Sequence, residues 1–273
     1  MNKLPSCVLY NWTPRPLETV WLTWQFAKDP NFTAMPTVGL GAPDQWAIDA
    51  DDERSRMVEY APTLPSREEL VSFFEKLVKD YTQIPEFITF NFACTNIPRA
   101  MMDQITRHRR FSFFVQSLRV VDAGQFAEES DYFTPPSVDE NEEIRVQLDY
   151  KNAMHSAAVY YKTLVAAGVP LEDARGVLPL HLNTKMCIAM NLRAFIESVQ
   201  TRSCHLLQQV YWKPLLGSMR EQLVSKVDPA LDYIFEPPCK FHGRCLSPIE
   251  QQMRVEGKDP HEPCSLYREL FGA

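Results

Sequence analysis

Helix signals and short strand-like runs alternate along this chain without the regular spacing of βαβ units. Ser66 and Glu69 form a capping-box pattern that opens an amphipathic helix. The segment Phe87–Phe92 follows a proline and is rich in aromatic and β-branched residues, which is typical of a strand. The pattern over Asn141–Ala167 predicts a long helix that ends at Gly168, a residue suited to the left-handed conformation. This irregular mixture predicts an α+β fold, a mixed body with a small sheet packed by long helices, rather than a doubly wound sheet.

The spacing of apolar residues also predicts the other helices and strands. A further helix is predicted to start after Asn96, with Pro98 in its first turn, and to run to about Arg109. The other predicted helices span Leu17–Phe26, Leu171–Val177, Leu192–Val199 and Cys204–Val227. A buried strand is predicted over Lys185–Met190, and a surface loop over residues 120–136. Asn191 is expected to cap the helix that follows it, and Pro214 to kink the last helix.

Size and charge limit the classes of function. A chain of 273 residues with 45% hydrophobic content can bury a sizeable core. Its net charge of −7 argues against a general binder of nucleic acid or of membrane surfaces. The chain has neither an N-terminal apolar run of signal-peptide length nor a membrane-spanning run of about 18 apolar residues. With seven cysteines, an odd number, we expect reduced thiols in a cytoplasmic protein.

The composition shifts after residue 235 towards proline, cysteine, histidine and charged residues. We therefore expect one main domain over residues 1–236 and a tail without its own core over 237–273. The candidate zinc ligands in that tail are Cys239, His242, Cys245 and Cys264, with His261 beside the last. Their spacing is irregular, so two alternatives stay open: a structural zinc, or free thiols with no metal.

The most informative segment is RHRRFSFFVQSLR. On a helix, Gln104, Arg107 and His108 would share one face, since they stand three and four residues apart. Arg109 and Arg110 then crowd further positive charge at the predicted helix end, and no carboxylate stands nearby in sequence. One interpretation of this crowded positive charge is a site that binds an anionic ligand. The alternative interpretation is a solvated basic helix end, which the helix dipole stabilises.

Aromatic residues and hydrogen-bond donors interleave in the continuation of this segment. Ser117 and Arg119 offer donors between apolar side chains such as Phe113. This mixture suits a flat heteroaromatic ring that carries a phosphate. A strip that binds nucleic acid is the rival interpretation, and the acidic balance of the chain disfavours it.

Arg107-His108-Arg109, seven residues and then Ser117 resembles the signature of the flavin-dependent thymidylate synthase (ThyX) family. Gln104 before it and Arg119 after it are similar to the family as well. A second block with the same resemblance comprises Tyr161–Gly168, residues 169–180, Asn191–Arg193 and Thr201–Ser203. The resemblance covers roughly residues 80–245.

The resemblance implies an enzyme that uses FAD, with methylenetetrahydrofolate as one-carbon donor, to convert dUMP to dTMP. It also implies a homotetramer and a reductant such as NADPH. The residues implied at the flavin are Arg107, His108, Arg109, Asn191 and Arg193. The residues implied at the nucleotide are Gln104, Ser117, Arg119, Lys185 and Arg202, of which Ser117 and Arg202 are the catalytic candidates.

The chain also departs from the family pattern. Phe114 and Val115 stand where the family has Asn and Glu, and Lys185 stands where it has Arg, which removes a guanidinium fork. Residues 80–87 lack the family's histidine, and Val120 replaces a common aromatic residue. We expect Phe114 and Val115 to line the nucleotide end of the pocket. Two alternatives therefore stay beside thymidylate synthesis: a hydroxymethylase that makes 5-hydroxymethyl-dUMP, and a non-catalytic relative that binds nucleotide or flavin.

Overall fold

The computed structural model describes residues 4–29, 64–80, 83–123, 131–204, 210–237, 239–240, 245, 252–253, 255–257 and 264. The strands are β1 (Ser6–Trp12), β2 (Thr89–Pro98), β3 (Ser112–Val115) and β4 (Asn183–Asn191). The helices are α1 (Pro16–Lys28), α2 (Arg67–Asp80), α3 (Arg99–Ile105), α4 (Pro136–Asp139), α5 (Ile144–Ala166), α6 (Leu171–Ala174), α7 (Leu192–Arg202) and α8 (Trp212–Lys226). Short 3₁₀ segments lie at Ile84–Phe87, Arg175–Val177 and Pro229–Phe235.

The four strands form one antiparallel sheet in the order β1-β2-β4-β3. Ile188 of β4 lies opposite Phe92 of β2 on one side and Phe113 of β3 on the other. The register between β2 and β4 shifts after Cys94, where Asn96 has a φ of 56°. The predicted α+β class is confirmed. The sequence patterns predict no strand at β1 or at β3, which is only four residues long.

Among the described residues, the core covers one face of the sheet. Phe90, Phe92, Ile188 and Met190 are buried on that face, where Phe195 of α7 packs against Phe90 and Phe92. Because side chains alternate across a strand, the residues between them face outward. Within the described residues, this outer face carries Val8, which is 55% exposed, and Phe114, which is 81% exposed.

The local helix signals act as the sequence predicts. The backbone N–H of Ser66 donates to Glu69 Oε2 over 2.9 Å, and the N–H of Glu69 donates to Ser66 Oγ over 3.3 Å, which completes the capping box. Gly168 follows α5 with a φ of 82°, a conformation that costs glycine little. Asn191 Oδ1 accepts from the N–H of Ala194 over 2.8 Å and caps α7.

Two predicted helix boundaries are wrong. Helix α3 begins at Arg99 and ends at Ile105 rather than near Arg109, because Ile97 and Pro98 belong to the sheet and the chain beyond Thr106 makes i→i−3 hydrogen bonds. Gln104 and His108 therefore do not share a helix face. Helix α8 begins at Trp212, so Pro214 lies in its first turn, where no N–H is required, and does not kink it.

Among the described residues, no helix combines the length and apolarity that crossing a membrane requires. The division between residues 1–236 and the tail stays a prediction. His242 and His261 lie outside the described residues.

Candidate active site

His108 lies in an aromatic enclosure built from three parts of the chain. Its ring stacks on Phe111 with centroids 5.3 Å apart and planes at 25°, and it meets the edge of Trp212 at 5.8 Å. Its Nε2 lies 3.4 Å from Ser198 Oγ of α7. Burial, and secondly the charge of Arg202, lower the pKa of His108 below its usual value. The imidazole is therefore neutral at pH 7 and offers one donor and one acceptor.

Trp212, the first residue of α8, joins three of the residues singled out in the sequence. Its Nε1–H donates to Gln104 Oε1 over 3.0 Å, and the guanidinium carbon of Arg202 lies 4.5 Å from its ring centroid. His108 contacts the same ring at its edge. Gln104, His108 and Arg202, from α3, the following turn and the end of α7, thus converge on one indole.

Arg202 is half-buried in this enclosure, and burial lowers the pKa of its guanidinium. A guanidinium over an aromatic face, partly withdrawn from water, is held in a fixed orientation and interacts more strongly with nearby charge than an exposed one. The arrangement suits a site where negative charge develops on a planar ligand.

The cations of the RHRR segment fall into two groups. Arg110 pairs with both carboxylate oxygens of Glu197 on α7, at 2.8 and 3.0 Å. Sequence reasoning missed this carboxylate because it lies 87 residues away. Arg107 and Arg109 are exposed, and no described carboxylate lies within 4.0 Å of either. These two guanidiniums remain available for an anionic ligand.

Asn191 and Arg193 are committed to contacts within the protein. The Oδ1 atom of Asn191 caps α7, which leaves its amide NH₂ as the group that can donate to a ligand. Arg193 donates from Nη1 to Glu86 Oε1 over 3.0 Å and from Nε to Glu197 Oε1 over 3.2 Å. Glu197 thus joins Arg193 to Arg110, so residues from two predicted blocks meet at one carboxylate.

Ser117 and Arg119 lie just beyond β3 and form a second group. The N–H of Arg119 donates to Ser117 Oγ over 3.2 Å. The Arg119 fork holds Glu172 Oε2 through Nε at 3.0 Å and Nη2 at 2.6 Å. The fork is therefore occupied by a carboxylate in the ligand-free protein, and both partners are about half exposed.

Strand alternation places Lys185 and Phe114 on one face of the sheet and Val115 on the other. Lys185 lies exposed on the outer face of β4. Phe114 pairs with Cys187 on that same outer face, whereas Val115 pairs with Met186 and packs against the core. The expectation that Phe114 and Val115 line one pocket together is wrong, because adjacent strand residues point to opposite faces.

Sequence reasoning missed Trp212, Glu197 and Glu172. Each contacts residues at least 50 positions away, so no spacing rule connects them. A weak signal exists for Trp212, since a buried tryptophan requires an acceptor for its N–H. Glu172 stands in the block that resembles the family, beside Arg175, whose Nε donates to the Glu172 carbonyl over 3.1 Å.

The tail cysteines come near one another. Burial raises the pKa of the Cys239 thiol, and the nearby Cys245 and Cys264 raise it further. Within the described part of the chain, no three His, Cys, Asp or Glu side chains form a group that could hold a metal ion. The zinc site that includes His242 stays a prediction.

Comparison with known proteins gives a consistent result. The family model described as "Thymidylate synthase complementing protein" matches residues 45–229. The flavin-dependent thymidylate synthase of Saccharolobus solfataricus is 31% identical over 190 residues, which cover 67% of this chain and 67% of that protein. That of Geobacter sulfurreducens is 34% identical over 185 residues, which cover 66% and 75%. The crystal structure of Thymidylate Synthase X from Helicobacter pylori with FAD and dUMP aligns at a TM-score of 0.55 and 13% identity, covering 85% of this chain and 98% of that one, and it bears on the fold alone.

Proposed function

The chain belongs to the flavin-dependent thymidylate synthase family, and from that premise we propose that it methylates dUMP at C5. FAD is the proposed cofactor and methylenetetrahydrofolate the proposed one-carbon donor. The observation that carries the proposal is the convergence of Gln104, His108 and Arg202 on the Trp212 ring. This cluster supplies a cation, an amide and a neutral imidazole beside an aromatic wall.

The proposed pyrimidine end of the site is at Arg202. Activation of uracil as a nucleophile at C5 develops enolate-like negative charge on the ring oxygens, and a fixed guanidinium stabilises that charge. The Trp212 ring orients the guanidinium at 4.5 Å, and the half-buried position reduces screening by water. Gln104 is oriented in turn, because its Oε1 accepts from Trp212.

The proposed phosphate end is at Ser117 and Arg119, with Lys185 as a second cation. A guanidinium fork matches a phosphate as it matches a carboxylate. Glu172 occupies that fork now, and an exchange of Glu172 for the phosphate dianion costs little, because a half-exposed ion pair contributes only about 0–1 kcal/mol.

The described residues also fit a flavin. Arg107 and Arg109 present exposed guanidiniums with no described carboxylate within 4.0 Å, which suits the diphosphate and the anionic reduced ring. The Asn191 amide NH₂ offers a further donor, and Arg193 stands beside it, held by Glu86 and Glu197. FAD, when bound, supplies the hydride that reduces the transferred carbon. The flavin-dependent relatives of Saccharolobus solfataricus and Geobacter sulfurreducens support this choice.

We propose a homotetramer in the cytoplasm, without nucleic-acid or membrane partners. Helix α5 spans 23 residues, and only Ala158 and Tyr161 of it are buried. Four large apolar side chains of this helix are 47% to 69% exposed within the described structure, and a partner subunit would cover them: Ile144, Leu148, Val159 and Tyr160. Light scattering coupled to gel filtration measures the assembly, and a monomer would contradict this part of the proposal.

The deciding experiment is the mass of the nucleotide made from dUMP. The protein is incubated with FAD, methylenetetrahydrofolate and NADPH or dithionite, and flavin binding is followed by its yellow absorbance. A methyl gain supports the proposal, whereas a hydroxymethyl gain supports the alternative, in which water adds to the transferred carbon. A bound flavin without any product supports a non-catalytic relative, and the absence of flavin affinity contradicts the cofactor.

A further inference from the structure

Two free cysteines, Cys7 of β1 and Cys94 of β2, lie directly opposite each other on neighbouring antiparallel strands. Both side chains face the core and are only 6% and 1% exposed. They contact each other, since the Cys94 thiol hydrogen-bonds to the sulfur of Cys7. Cys187, by contrast, pairs with Ala93 and Phe114 on the outer face of β4, so the sheet separates it from this pair.

The backbone of Cys7 points away from β2. Its N–H donates to Ser218 Oγ of α8 over 3.0 Å, and its carbonyl accepts from the same hydroxyl over 3.2 Å. The N–H of Leu9 donates in the same direction, to Gln222 Oε1 over 3.3 Å. Cys7 and Cys94 are therefore a non-hydrogen-bonded pair of the ladder, in which the Cα atoms approach to roughly 4.5 Å. A disulfide spans Cα separations of about 4.4–6.8 Å, so the bond can form without moving the strands apart.

The two thiols differ in reactivity. The hydrogen bond from the Cys94 thiol lowers the pKa of Cys7 and outweighs burial, which acts in the opposite direction. The same hydrogen bond, together with burial, raises the pKa of Cys94. Because the thiolate is the nucleophile, Cys7 reacts first and Cys94 second. A cysteine of lowered pKa beside a second cysteine that can resolve its oxidised form is typical of thiols that respond to oxidants.

We propose that Cys7 and Cys94 form a reversible disulfide when hydrogen peroxide oxidises the protein. The Cys7 thiolate attacks one peroxide oxygen and breaks the O–O bond, which leaves a sulfenic acid on Cys7 and releases one water after protonation. The Cys94 sulfur then attacks the Cys7 sulfur, the S–O bond breaks, and a second water leaves. In total the two thiols lose two electrons and two protons, and the peroxide is reduced to two waters. Peroxide is nearly as small as water, so it can approach sulfurs that a larger oxidant cannot reach.

The bond fastens β1, the edge strand of the sheet, to β2. It closes a loop from residue 7 to residue 94, and a closed loop of this length lowers the entropy of the unfolded chain. Oxidation should therefore raise the thermal midpoint by roughly 5–10 °C. Dithiothreitol should restore the original midpoint, because the disulfide is reduced again by thiol exchange.

The test treats the intact protein with hydrogen peroxide, alkylates the remaining thiols and digests the chain without reductant. Mass spectrometry should find the peptide that contains Cys7 joined to the peptide that contains Cys94. The same treatment in denaturant should lose the preference for these two thiols, because the sheet no longer places them together. Cys187→Ala is the matched control variant, since it removes a cysteine of the outer face and should form the bond as the parent protein does.

Trapping with dimedone, which labels sulfenic acids, tests the order of the two steps. Cys94→Ala lacks the resolving thiol, so the label should accumulate on Cys7 and the thermal midpoint should no longer rise with peroxide. Cys7→Ala should leave Cys94 unlabelled. Equal labelling of the two variants would overturn the assigned order.

The parent protein decides the inference even where an alanine variant does not fold. Recovery of Cys7 and Cys94 as free thiols after native oxidation, or joined to other cysteines, would overturn it. An unchanged thermal midpoint of the linked protein would overturn it as well, because the bond would then fasten nothing. No nucleotide or flavin is added in these measurements, so their outcome is independent of the proposed function.

Discussion

Replacing Arg202 with alanine removes a guanidinium that acts on an aromatic ring, on a histidine and, in the proposed reaction, on the substrate. The group lies 4.5 Å from the Trp212 ring centroid, at the end of α7. It lowers the pKa of His108. In the proposed reaction it also stabilises the charge that develops on the pyrimidine. Arg202→Ala should therefore change stability, a histidine titration and the chemical step, each by a different amount.

The magnitudes follow from these contacts. Loss of a partly desolvated cation–π pair should lower the free energy of unfolding by about 1 kcal/mol. The pKa of His108 should rise towards its usual 6.5 but stay below it, because burial is the larger cause of its shift. Loss of one positioned donor in the transition state should lower kcat by about 10²–10³, or about 2.7–4 kcal/mol.

The assay combines steady-state kinetics with dUMP, flavin absorbance, thermal unfolding and NMR titration of His108. Flavin binding should persist, since Arg107 and Arg109 are unchanged, and KM should change less than kcat. Arg202→Lys should recover part of the His108 shift but little of the rate, while Arg145→Ala should leave every readout unchanged. Turnover of Arg202→Ala within about threefold of the parent would refute the reasoning, because no catalytic stabilisation would then depend on this guanidinium.

Trp212→Phe keeps an aromatic wall but loses the N–H donor, so kcat/KM for dUMP should fall by roughly 5- to 30-fold; an unchanged value would show that the indole N–H orients nothing in the reaction. Val115→Glu places a carboxylate against the core, so it should lower the free energy of unfolding, measured in urea, by more than about 2 kcal/mol. Phe114→Asn on the outer face should change this free energy by less than about 0.5 kcal/mol. Similar effects of the two substitutions would contradict the assigned faces. Burial lowers the pKa of His108 and also of His181, whose ring nitrogens lie 2.6 and 2.8 Å from the hydroxyls of Tyr150 and Tyr211. The native state therefore binds fewer protons than the unfolded chain, so the contribution to stability is present above pH 6.5 and is lost as the pH falls below it. Thermal midpoints measured from pH 7.5 to 5 should therefore fall, less steeply in His108→Gln and His181→Gln; parallel curves would exclude these groups.

Features that depend on a few neighbouring residues were determined by the sequence itself. The Ser66 capping box, the Gly168 terminator and the Asn191 cap all form as predicted, because each is a local hydrogen bond or backbone preference. The family resemblance in residues 107–119 and 161–203 is likewise a property of the sequence, since it needs only residue types at fixed spacings.

Only the tertiary structure decided which side chains meet. Helix α3 stops at Ile105 instead of continuing through Arg109, and His108 packs between Phe111 and Trp212. Glu197 reaches Arg110 from a distant helix, so the positive charge that looked uncompensated along the sequence is partly neutralised in the fold. The periodicity of a sequence indicates which face of a helix or strand is apolar. The contacts of Glu197 and His108, however, form between elements that are distant in sequence and that the fold brings together. No short window of sequence contains the identity of these partners.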